Sequence, residues 1–181
     1  MLRRDMMVKF SFTKRDIVMM AAFLALLFVA EVVWVLGTVI GNIIYPIVFG
    51  AILIIAANVI GKKYSILIIG IVLTIINTST AHLYGGTLAA LAYLTGAIAL
   101  EGVLQLSKPY GGNRIISVAG AFAYGVVSRL TYVGVIVLIY GMTMPLWAMV
   151  ALIAVPLIPY AIGGLLGYQI GVKVKGTVES V

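Results

Sequence analysis

Apolar and polar positions along this chain are sorted into long blocks rather than alternating. Basic residues gather at Arg3, Arg4, Lys9, Lys14 and Arg15, at Lys62 and Lys63, at Lys108 and Arg114, and at Lys173 and Lys175. Between these clusters lie three apolar stretches, 17–60, 64–107 and 115–172, of 44, 44 and 58 residues, each with a single charged residue. A helix crosses the roughly 30 Å hydrocarbon core of a bilayer in about 20 residues, so each stretch is too long for one crossing and suits two. Turn formers mark the middle of each: Gly37, Gly41, Asn42 and Pro46 in the first, His82, Gly85 and Gly86 in the second, Gly141 and Pro145 in the third. The pattern predicts helices over 17–36, 47–60, 65–81, 87–106, 115–140 and 146–172. The expected fold is an all-α membrane protein with six transmembrane helices in three hairpins, covering 17–172 between a basic N-terminus, 1–16, and a short tail, 173–181. Long unbroken apolar runs exclude the alternating strands of a membrane β-barrel.

Composition and charge sharpen this picture. Apolar residues make up 64% of the chain and charged residues 9%, against roughly 25% charged in a soluble domain. Eleven of the twelve Lys and Arg fall on the side that holds both termini, and the three outer bends carry none. By the positive-inside rule both termini are cytoplasmic. The net charge of +7 then reflects topology and contact with anionic lipid, and implies no nucleic-acid partner. The first apolar run exceeds the core of a signal peptide and reads as the first span. With no cysteine, one histidine and five carboxylates, the chain is expected to hold no metal or other cofactor.

Four ionisable groups stand away from the basic edge: Glu31, His82, Glu101 and Arg129. A charge at mid-membrane costs roughly 2.5–3.5 kcal/mol on insertion scales and calls for a partner or a wet cavity. Glu31 and Arg129 each lie 14 residues from the inner edge of their helices, roughly 21 Å along the axis, and so are level with one another. Glu101 is expected in the inner half. Glu31 and Arg129 either line a ligand cavity or form an ion pair locking helices 1 and 5. Trp34, Asn42, Tyr45, Asn77, His82, Tyr84, Tyr132, Tyr140 and Trp147 gather in the outer half, where rings and amides suit a flat polar heterocycle. Tyr84, Tyr140 and Trp147 also fit the aromatic belt at the membrane surface. The substrate-binding candidates are Glu31, Trp34, Asn77, His82, Glu101, Arg129 and Tyr132. Asn58 and Gln105 read as interhelical hydrogen-bonding groups, and Gly163, Gly167 and Gly171 as a close helix contact.

Catalysis is not expected. The chain has no P-loop, no H-E-x-x-H, and no Ser, His and acidic set at a recognisable spacing.

Thr13-Lys14-Arg15-Asp16 leads into an alanine-rich first helix, and the last helix closes with Gly163-Gly164-Leu165-Leu166-Gly167-Tyr168 before a lysine tail. With six spans and both ends inside, this resembles the substrate-binding S components of energy-coupling factor (ECF) transporters, vitamin importers of prokaryotic cell membranes. Ala21-x-x-x-Ala25 is similar to the small-residue motif by which such subunits dock on a transmembrane coupling subunit. Asn77 to Gly86, Glu101 and the segment Ser128 to Tyr132 look most like the branch linked to thiamine or its hydroxymethylpyrimidine precursor. The resemblance implies capture of a vitamin under the three outer turns, docking through helix 1 at Ala21 and Ala25, and release inward by toppling. ATP would be hydrolysed by two partner ATPases. The residues alone leave two alternatives: a stand-alone secondary transporter with Glu31, Glu101 and Arg129 as an ion or proton relay, or a structural subunit of a larger membrane complex.

Overall fold

A computed structural model describes residues 12–80 and 87–179, the side chains of residues 34, 35, 38, 39, 80, 178 and 179 excepted. The described residues are helical, with no strand among them. α1 (Lys14–Glu31) opens on a capping box: the Thr13 hydroxyl accepts from the Asp16 N–H at 3.3 Å, and the Asp16 carboxylate accepts from the Thr13 N–H at 2.6 Å. A 3-10 turn (Val32–Leu36) follows, and Gly37, at φ 101°, leads into α2 (Thr38–Ile60). Gly61, left-handed at φ 63°, closes α2. α3 (Ser65–Thr80) comes next, then a 3-10 turn (Thr87–Ala90) running into α4 (Leu91–Leu104). α5 (Arg114–Gly134), capped by the Asn113 side chain, loosens into a π-helical turn (Val135–Ile139). α6 (Leu146–Ala154) and α7 (Leu157–Glu179) are two parts of one rod interrupted at Pro156.

One expected bend is placed differently. The stretch from Gly37 to Pro46 was expected to be a turn, yet α2 runs through Gly41, Asn42 and Pro46. Pro46 removes one rung of the helix. Its ring is fully buried, as is Phe49, with Tyr45 only 3% exposed. Packing on this turn outweighs the lost bond, and in an apolar medium an unwound backbone would leave more groups without partners.

Four stretches are long and apolar enough to cross a membrane: Ile40–Ile60, Thr87–Leu104, Arg114–Ile139 and Leu146–Thr177. α3 is apolar but shorter. α1 has 18 residues, of which Lys14, Arg15, Asp16 and Glu31 are charged.

α2 is the hub of the bundle. It packs most extensively on α7, and also on α1, α3 and α5, while α4 packs on α5 and α3, and α5 on α7. The helices thus follow one another around a ring in the order α1, α2, α7, α5, α4, α3. The close α2–α7 contact is the work of the expected glycine stripe. A Cβ on Gly163 would strike the Ile47 carbonyl oxygen, one on Gly167 would lie 2.6 Å from the Ala51 carbonyl oxygen, and one on Gly171 would lie 2.9 Å from the Asn58 Cβ.

The turns at the basic end are bonded to one another. The Lys62 ammonium pairs with the Asp16 carboxylate at 2.6 Å, tying the start of α1 to the α2–α3 turn. Burial would raise the Asp16 pKa, but the Lys62 ammonium and the Thr13 donors outweigh it and hold the carboxyl below its ordinary value. Gly111, in the α4–α5 turn, lies against the Ala57 and Asn58 backbone, and the Tyr168 hydroxyl donates to the Gly112 carbonyl at 3.2 Å.

Candidate functional site

The polar side chains of the bundle fall into two groups at different depths. At the basic end, Glu101 is 3% exposed. Its Oε1 accepts from the Tyr64 N–H at 2.7 Å and from the Gln105 side chain at 3.2 Å, and its Oε2 from the Tyr110 hydroxyl at 2.7 Å. Tyr64 holds a left-handed φ of 68°, a conformation disfavoured for a bulky residue, and the bond from its N–H helps to keep it there. Glu101 is thereby committed to joining the α2–α3 turn, α4 and the α4–α5 turn. Glu101, expected among the substrate-binding residues, is thus placed at the inner end with its carboxylate bonded to neutral donors.

The second group surrounds the end of α1. Asn77, on the fourth turn of α3 and 7% exposed, donates through Nδ2 to Glu31 Oε1 at 3.0 Å and to the Leu73 carbonyl at 3.2 Å. The Tyr93 hydroxyl of α4 stands beside the Glu31 carboxylate and the Tyr45 hydroxyl of α2. From there a chain of rings crosses the bundle. Phe49 lies 5.1 Å from Tyr45, 6.0 Å from Tyr93 and 5.4 Å from Tyr124, and Tyr124 lies 5.5 Å from Tyr160, all centroid to centroid and tilted. These are favourable offset geometries for aromatic pairs. At the far side is Arg129, 8% exposed, beside Tyr160 and within electrostatic reach of Tyr124 and Tyr132.

Glycines make this ring chain possible. A Cβ on Gly96 would stand 2.8 Å from the Tyr124 ring, and one on Gly125 would stand 2.6 Å from the Tyr160 ring. Each tyrosine therefore fills the place of a side chain on a neighbouring helix, α4 for Tyr124 and α5 for Tyr160.

Glu31 and Arg129 face one aromatic cluster from opposite sides. Glu31 is engaged by Asn77 and Tyr93, Arg129 by the Ser128–Tyr160 corner, and Tyr124 stands between them. α1 packs on α2 and α3, whereas α5 packs on α4 and α7, and the side chains that engage Glu31 are Asn77 and Tyr93. Tyr132, half-buried, is one turn beyond Arg129 on α5. The Trp34 backbone lies in the turn directly after Glu31, but its side chain is outside the described residues, as are His82 and Tyr84.

Tyr140 and Trp147 separate from the cluster. Tyr140 is 40% exposed and accepts a hydrogen bond from the Leu88 N–H at 2.9 Å, joining two outer turns, and Trp147 is 74% exposed. Exposed rings at this level suit the membrane interface. Ala21 and Ala25 both lie on the exposed face of α1. Phe49, Tyr93, Tyr124 and Tyr160 were not anticipated as part of the site. The available signal was the pairing of Gly96 and Gly125 with tyrosines at the same depth.

Among the described residues no group of three His, Cys, Asp or Glu could hold a metal ion. Comparison of the chain with protein-family models, curated proteins and solved structures returned no match.

Proposed function

We propose that this chain is the substrate-binding membrane subunit of an ECF-type importer, with six spans, both termini in the cytoplasm of a prokaryotic cell, and a small vitamin or vitamin precursor as cargo. The observation that carries the reading is the convergence of Glu31, Asn77, Tyr93, Tyr124, Tyr160 and Arg129 at the end of the bundle away from the lysines. Buried polar groups are costly in a membrane and mark ligand or ion paths. A carboxylate, an amide and a guanidinium around stacked rings suit a flat heterocycle of the size of thiamine or its pyrimidine precursor. Ala21 and Ala25, small and exposed on one helix, support a face for a transmembrane coupling subunit. Two ATPases attached to that subunit would supply the energy.

The stand-alone transporter is less well supported. Tyr93, beside Glu31, precedes Glu101 by eight residues on α4, about 12 Å of helix axis, and the Glu101 carboxylate is bonded into the inner turns. A relay would have to cross that distance through the Phe49 and Leu100 packing.

The deciding experiment is purification of the tagged chain from its native cell. The proposal expects copurification of a coupling subunit with two ATPases, and a small molecule retained by the chain and identified by mass spectrometry. Uptake by the chain alone in proteoliposomes under a pH gradient would overturn it in favour of the relay.

A further inference from the structure

Three buried or half-buried carboxylates are described in this chain, and they are compensated in different ways. Asp16 has the Lys62 ammonium at 2.6 Å. Glu101 has three hydrogen-bond donors shared over both oxygens. Glu31 has Asn77 on one oxygen and the Tyr93 hydroxyl beside it, both neutral, and no cationic side chain among the described residues is placed against it.

Its position makes a negative charge harder to hold. Glu31 is the last residue of α1, where the backbone dipole opposes an anion. As a residue it is half-buried rather than sealed. Next to it stand the rings of Tyr93 and Tyr45, with Phe49 and Tyr124 behind them. Aromatic faces carry negative potential and attract cations within about 6 Å of their centroids. Tyr45, Phe49 and Tyr124 are buried, and Tyr93, partly buried, is the ring a guest beside Glu31 would meet; a carboxylate with neutral donors beside such a ring selects one kind of guest.

We infer that Glu31 and the tyrosines beside it form a seat for the positively charged group of the cargo, a flat organic cation bearing N–H donors, such as an amidinium or a protonated aminoheterocycle. The inference rests on the importer reading and narrows it. The cation forms a charge-assisted hydrogen bond with Glu31 while its ring lies on the tyrosine wall. Asn77, which holds Oε1, and Tyr93 orient the carboxylate for the guest.

The test uses the purified full-length chain in lipid nanodiscs and equilibrium dialysis with benzamidinium and its neutral isostere benzamide. Benzamidinium should bind about tenfold more tightly than benzamide, the ratio expected for one charge-assisted bond in place of a neutral one. Glu31→Gln keeps the acceptor for Asn77 and so retains the fold, which thermal unfolding checks; in it the preference for the cation should vanish. Glu31→Asp should restore part of it. Equal binding of the two probes, binding of neither, or a preference that survives Glu31→Gln would overturn the inference. A chain that prefers benzamidinium through Glu31 but never copurifies with a coupling subunit keeps the cation seat and loses the importer. A chain that copurifies with its coupling subunit yet is indifferent to charge keeps the importer and moves the cargo elsewhere.

Discussion

Gly167→Ala tests the frame that holds the site. A Cβ at Gly167 would lie 2.6 Å from the Ala51 carbonyl oxygen, 2.9 Å from the Ala51 Cα and 2.9 Å from the Ile54 Cβ. Two of these are backbone atoms of α2, which cannot swing aside as a side chain can, so α7 must move away from α2. Inserting one methyl into a well-packed contact costs about 1–3 kcal/mol. Alanine in place of glycine in a helix returns roughly 1 kcal/mol, so the net loss is about 0–2 kcal/mol. Gly102→Ala supplies the control, because Gly102 is also helical and its Cβ would meet nothing within 4 Å. The propensity term is common to both, and the difference between the two variants isolates the clash at about 1–3 kcal/mol. Thermal unfolding in one detergent should place Gly167→Ala below Gly102→Ala by roughly 2–4 °C for each kcal/mol. Tyr160 lies seven residues before Gly167, two turns away on the same face of α7, so the displaced helix should also weaken ligand binding. Equal melting temperatures for the two variants would refute the α2–α7 contact and the placement of Tyr160 that depends on it.

Replacing Ala21 and Ala25 together with leucine should leave folding and cargo binding unchanged, since both are exposed, while abolishing uptake by the assembled importer; surviving uptake removes α1 as the docking face. Glu101→Ala takes the acceptor from the Tyr64 N–H, costing about 1–3 kcal/mol when buried, and one partner from the Tyr110 hydroxyl, and should lower thermal stability without altering the cation preference of the remaining protein. Asp16 has a pKa held below its ordinary value, so its contribution to stability is complete above the usual carboxylate range and is lost as pH falls through the lowered value. Asp16→Asn should flatten the acid limb of the stability profile measured by denaturant unfolding. Arg129→Ala should remove cargo binding or unfold the chain. Adding Glu31→Ala should not rescue it; a rescue in the double variant would mean that the two charges pair after all.

What could be read from the residues follows from where the physical signal lies. Charge clusters and apolar lengths are one-dimensional, and they placed the helices over 65–81, 87–106 and 115–140 close to Ser65–Thr80, Thr87–Leu104 and Arg114–Ile139. Depth is one-dimensional too, which is why the residue count along each helix could set Glu31 and Arg129 side by side as an expectation. Azimuth is not. A helix apolar all round gives no stripe to show which side faces inward, so the residues alone left open whether Glu31 and Arg129 line a cavity or pair with one another. α5 is the exception, because Ser117, Gly120, Ala121, Tyr124, Gly125, Ser128 and Arg129 are all buried and recur at three- and four-residue spacing. That stripe of small and polar residues was legible, and it points to Tyr124 as a central side chain. The start of α2 was hidden because Gly37, Gly41, Asn42 and Pro46 each favour a turn locally, whereas burial of Tyr45, Pro46 and Phe49 favours the helix.

The two ends of the bundle are held by different means, and this bears on where a guest can enter. At the basic end, Asp16 with Lys62, Glu101 with Tyr64 and Tyr110, and Tyr168 with Gly112 join α1, the two inner turns, α4 and α7 through polar contacts of 2.6–3.2 Å. Near Glu31 and Arg129 a few bonds, such as Asn77 with Glu31 and Thr95 with Thr131, are joined by tilted rings packed on glycines, with the Leu88–Tyr140 bond joining the turns above. Offset ring contacts are individually worth about 0.5–1.5 kcal/mol beyond burial and tolerate sliding, whereas a buried hydrogen bond to a carboxylate is lost outright when its partner moves. A guest that slots between rings can therefore be admitted at small displacement without breaking the inner clasp. The carboxylate best placed to receive it is Glu31, not Glu101, because Glu101 is consumed in holding the base shut.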